Sequence, residues 1–87
     1  MKTRFESFDF VSVQVSEKEV EAFADRWPCS GLKHGLCGDC SPGWFEFHKG
    51  TGDLVDVSPS FNDPRIDGEA LKALAADAKT YAFKRDA

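Results

Sequence analysis

The segment 10-FVSVQVSEKEVEAFADRW-27 decides the fold, because its hydrophobic period changes at Ser16. Val11, Val13 and Val15 alternate with Ser12 and Gln14, the two-residue period of a half-buried strand. Beyond Ser16 the apolar residues are Val20, Phe23, Ala24 and Trp27, one stripe of an amphipathic helix. Ser16 and Glu19 have capping-box spacing, so each side chain can bond the other's backbone N–H. Val15 and Val20 occupy the two positions of a hydrophobic staple. Glu17, Glu19 and Glu21 put negative charge near the positive end of the helix dipole, and Pro28 stops the helix.

Upstream, Phe5 to Val15 reads as one strand. Phe8 and Phe10 have the opposite parity to the valines, which implies a bulge near Phe10 or a stretch apolar on both faces. Downstream, residues 29–43 hold Gly31, Gly35, Gly38, Pro42 and Gly43 and read as a loop. Trp44 to His48 and Leu54 to Val57 read as two strands joined by a hairpin over 49–53. Phe45 and Phe47 then share one face with Val55 and Val57, and Trp44, Glu46, His48 and Asp56 take the other.

A second loop covers 58–66 and carries Phe61 with no evident support. Asp67 is a good N-cap for a last helix, with Glu69 in its first turn. Its inward stripe is Leu71, Leu74, Ala75, Ala78 and Ala82, while Lys84 and Arg85 complement its C-terminal end. The order β-α-β-β-α predicts an α+β fold. Its sheet would be three-stranded, antiparallel or mixed, with both helices packed on one face.

The chain has 87 residues, the size of a single domain spanning 1–87. Hydrophobic residues at 41% and charged residues at 30% fit a folded globule. A net charge of −4 without a basic run gives no footprint for nucleic acid. The opening MKTRFESFDF has no apolar run of signal-peptide length, and no window is apolar enough to span a membrane. An odd cysteine count without an export signal points to a reducing cytoplasm.

All three cysteines lie in 29-CSGLKHGLCGDC-40. The spacing Cys29-x7-Cys37-x2-Cys40-x7-His48, with His34 as an alternative fourth ligand, is a candidate zinc set. A C-x2-C turn aims two thiolates at one ion about 2.3 Å away. The other half of the set is irregular and matches no regular zinc-module spacing. Redox exchange needs its first cysteine at a helix N-terminus, and Ser41-Pro42-Gly43 supplies none. The plain alternative is that Cys29 is a small buried residue and Cys37 and Cys40 lie in a loop. No family signature for cysteine–histidine catalysis surrounds these residues. Asp53 and Asp56 read as turn and solvated-face residues, and Lys79, Lys84 and Arg85 as dipole complements.

The strings Trp27-Pro28-Cys29-Ser30-Gly31-Leu32, Trp44-Phe45-Glu46-Phe47 and Gly52-Asp53-Leu54-Val55-Asp56 together carry a resemblance. With Asp67-Gly68-x-Ala70-Leu71-x-x-Leu74, the chain resembles small uncharacterised proteins of bacterial phages and mobile elements, over residues 20–83. That resemblance implies a bacterial cytoplasmic setting and no particular activity. It also implies that Lys33 to Pro42 is a local insertion, so that zinc would be peculiar to this chain.

The leading expectation is a non-enzymatic cytoplasmic protein acting by protein–protein binding or regulation. Trp44, Phe61 and Phe83 are its candidate partner-binding residues, with no cofactor and no membrane partner. Phe83 has the alternative of being covered by the N-terminal segment. Homo-oligomerisation is compatible with this reading. The alternatives are a zinc-stabilised module on the cysteine stretch and a nucleic-acid-binding domain using the sheet face.

Overall fold

The computed structural model describes residues 1–27, 31–32, 43–62 and 64–84. Cys29, His34, Cys37 and Cys40 lie outside the described residues, as do Pro28, Pro42 and Arg85. The fold is α+β. Strands β1 (Lys2–Glu6) and β2 (Phe10–Val15) precede helix α1 (Glu17–Arg26). Strands β3 (Gly43–His48) and β4 (Leu54–Val57), a 3-10 turn (Pro59–Phe61) and helix α2 (Gly68–Lys84) follow. Among the described residues the sheet has four strands in the order β1-β2-β3-β4, all antiparallel.

This corrects the expected three strands. Phe5 and Phe8 belong to a separate hairpin arm and its turn, not to one long strand ending at Val15. The chain reverses at Ser7–Asp9: the Ser7 N–H donates to the Phe10 carbonyl at 2.8 Å, and the Phe10 N–H donates to Ser7 Oγ at 3.1 Å. A serine hydroxyl makes this turn without a glycine. The parity conflict at Phe8 was the trace of that reversal, and Phe8 sits at the tip, 94% exposed.

Helix α1 starts as its local sequence dictates. The Glu19 N–H donates to Ser16 Oγ at 3.2 Å, and the Ser16 N–H donates to Glu19 Oε1 at 3.1 Å. Val15 and Val20, the staple pair, are both fully buried. The helix closes with the Trp27 N–H on the Ala24 carbonyl at 3.1 Å. Trp27 remains partly exposed and stacks on Phe23, ring centroids 6.2 Å apart.

The core joins Val11, Val13 and Val15 of β2 with Phe45 and Phe47 of β3, Val20 and Phe23 of α1, and Leu74 of α2. Both helices therefore cover one face of the sheet. The alanines at 70, 75, 78 and 82 are buried against it, and their small side chains let α2 lie close. Leu71, placed on the inward stripe by its spacing, is only partly buried, and Ala70 is fully buried. Fully burying a Val or Phe side chain contributes roughly 1.5–3 kcal/mol, so this one face supplies most of the stability.

Two further expectations change. Phe47 stands opposite Leu54 and not Val55, because a bulge between the Glu46 and Phe47 pairings leaves Val55 as an extra residue in β4. Phe61 is not a surface aromatic but a core residue, 2% exposed. Its ring stacks on Phe45 at 5.1 Å between centroids. It fits there because residue 43 is glycine: any side chain at that position would overlap the Phe61 ring.

Candidate functional site

The face of the sheet away from the helices carries the candidate site. Antiparallel register arranges it in rows. Gln14 of β2 lies between Lys2 of β1 and Trp44 of β3. Ser12 lies between Phe5 and Glu46, with Asp56 beyond, and Phe10 faces His48. Among the described residues neither helix contributes to these rows.

Arg4 organises the centre. It occupies the irregularity in β1 between Thr3 and Phe5, where one extra residue re-aims its side chain. Its guanidinium carbon lies 4.4 Å from the Trp44 ring centroid and 5.4 Å from that of Phe5. Nη1 reaches Ser12 Oγ at 3.5 Å. A serine at this position is small enough for the guanidinium to cross β2 and meet the indole. Ser12 is left fully buried beneath it. Stacking of this kind is worth roughly 0.5–1 kcal/mol at an exposed site.

The hairpin-turn end of the face is closed by polar contacts. The Lys49 N–H donates to the Asp9 carbonyl at 2.8 Å, and Lys49 Nζ pairs with Glu6 Oε2 at 2.7 Å. The Phe10 ring meets the His48 ring edge-on at 5.4 Å. His48 Nδ1 accepts the Gly50 N–H at 3.0 Å. His48 ends β3 and Gly43 begins it, so five strand steps, about 16 Å, separate these two residues. Among the described residues no group of three or more His, Cys, Asp or Glu could hold a metal ion.

Of the three expected contact aromatics, Trp44 alone is on this face. Phe83 is partly buried on the helical side, its ring 6.2 Å from that of Phe47. Arg4, Phe5 and Phe10 belong to the candidate surface although residue spacing did not single them out. The signal available was the parity conflict around Phe8.

Comparisons with protein-family models, with curated proteins and with solved structures returned no match. No described helix is long and apolar enough to cross a membrane.

Proposed function

We propose that the chain is a non-enzymatic protein that binds a protein partner through the helix-free face of its sheet. We place it in the bacterial cytoplasm of a phage or mobile-element carrier. The observation that carries this reading is the Arg4–Trp44 stack, flanked by the exposed Phe5. A stacked guanidinium keeps in-plane N–H donors for a carboxylate, while the indole and Phe5 offer apolar area. Aromatic and arginine residues are the usual anchors of protein interfaces. The partner that fits presents a carboxylate beside apolar side chains. A nucleic acid fits less well, because Glu46 and Asp56 lie in the middle row of the same face and would repel phosphates.

The test is capture from host lysate with the wild-type chain, Arg4→Ala and Trp44→Ala side by side. A stoichiometric protein retained by the wild type and lost by both variants is the expected result. Binding of single-stranded nucleic acid that weakens with salt would replace this reading with the nucleic-acid one. Turnover of a small molecule, with no protein retained, would overturn it.

A further inference from the structure

The two edges of the sheet are treated differently. The β1 edge carries Lys2, Arg4 and Glu6 and an irregularity at its middle, devices that discourage another strand from pairing. The β4 edge has an irregularity of its own at Val55, but Asp56 is its one charge. Its Leu54 and Val55 are 45% and 47% exposed. Ser58 turns its N–H inward to the Trp44 carbonyl, so the neighbouring Val57 N–H faces out of the sheet. That N–H donates to the Asp56 carboxylate at 2.9 Å, in the place a pairing strand's carbonyl would take.

Beside this edge, between β4 and α2, runs a groove of about 310 Å³. Its apolar floor includes Phe47, Leu54, Leu71 and Ala75, and Lys72 and Lys79 stand on its helix side. Lys79 has no carboxylate partner among the described residues. Lys72 has only Glu69 at 3.9 Å, both side chains more than three-quarters exposed. Asp53 is the one acidic residue lining the groove.

We propose that β4 and this groove take an extended peptide by strand addition, its apolar side chain entering the groove and its acidic side chains meeting Lys72 and Lys79. Backbone pairing along the edge supplies affinity, and every second side chain of the added strand turns toward α2. Lys72 and Lys79 are seven residues apart, about 10.5 Å along the helix. Acidic residues two positions either side of the apolar one are about 13 Å apart in a strand, within reach of two flexible lysines. The peptide therefore reads acidic-x-apolar-x-acidic. This surface is separate from the Arg4–Trp44 face and does not depend on it.

The experiment is selection of displayed random octapeptides on the full chain, followed by titration of the enriched peptides in solution. The expected result is enrichment of the acidic-x-apolar-x-acidic pattern, with amide shifts at residues 54–57 and along the α2 face. The double variant Lys72→Glu/Lys79→Glu, checked for folding by circular dichroism, should weaken binding at least tenfold. Trp44→Ala should leave it unchanged. Enriched peptides without acidic residues, or an affinity untouched by the double reversal, would overturn the proposal. So would a concentration-dependent dimer that buries β4 and excludes the peptide, since the edge would then serve a second copy of the chain.

Discussion

The strands β2 and β3 have two faces built on different physics. Val11, Val13, Phe45 and Phe47 point under the helices and are almost wholly removed from water. Gln14, Trp44 and Glu46, interleaved with them, stay partly exposed, and the Arg4 guanidinium stacks on the Trp44 ring. The first face is held by volume and the second by contacts that each contribute a kilocalorie or less. Packed hydrocarbon and the proposed contact surface thus lie on opposite faces of the same two strands. A change on one face should be felt in folding, and a change on the other in binding.

The largest effect expected is at Phe45, which touches both the helical core and Phe61. Phe45→Ala should cost about 3–5 kcal/mol, read as a shift of the urea midpoint at unchanged slope. A cost under 1 kcal/mol would mean that the helical face is not the stabilising one. Next is Gly43→Ala, whose new methyl group must displace the Phe61 ring. The expected cost is about 1–3 kcal/mol. Combining it with Phe61→Ala should cost less than the sum of the two single changes, because the overlap is then gone. Additive costs would place Phe61 away from Gly43.

Ser16→Ala removes one half of the capping box and should cost about 1 kcal/mol by the same denaturant measurement. Helix α1 was fully legible in the sequence for the reason this variant probes. Its start is fixed by residues three apart, so local sequence carries all the information. The presence of the β3–β4 hairpin and the inward alanines 75, 78 and 82 of α2 were legible in the same way. Strand β1 was not legible, because its turn uses the Ser7 hydroxyl and no glycine or proline. Phe61 was misplaced because its shelter, Gly43, is distant in sequence. The register of Val55 depends on a bulge that alternation cannot reveal. Trp44, Glu46 and His48 followed from parity, so half of the candidate face could be read. Arg4 could not, since it reaches Trp44 from a strand that had not been recognised.

On the open face the expected stability effects are smaller. Arg4→Ala and Trp44→Ala should each cost about 0.5–1 kcal/mol, and the double variant little more than either, because they share one contact. Partner capture should fall sharply with either change. If stability falls as far as with Phe45→Ala, the division between the two faces fails.

The smallest effect is a titration, and it sharpens the contrast because packed hydrocarbon has no proton to lose. Burial pushes the Glu19 carboxyl up. The hydrogen bond from the Met1 ammonium, those from the Ser16 N–H and hydroxyl, and the ammonium's charge together outweigh it. The folded-state pKa therefore lies below the ordinary glutamate value of 4.5. A carboxyl lowered in this way contributes stability that is present above the unfolded pKa and is lost as pH falls through the folded one. Glu19 is about one-third exposed, so solvent screens its partners and the effect is modest. Wild type and Glu19→Gln should therefore differ in denaturant midpoint at pH 7 and converge as the pH is taken below 4.5. Phe45→Ala, a pure packing change, should keep its full deficit across the same range. If the Glu19→Gln deficit were equally independent of pH, the carboxylate's charge would contribute nothing to the helix start, and packing of the side chain alone would account for its place there.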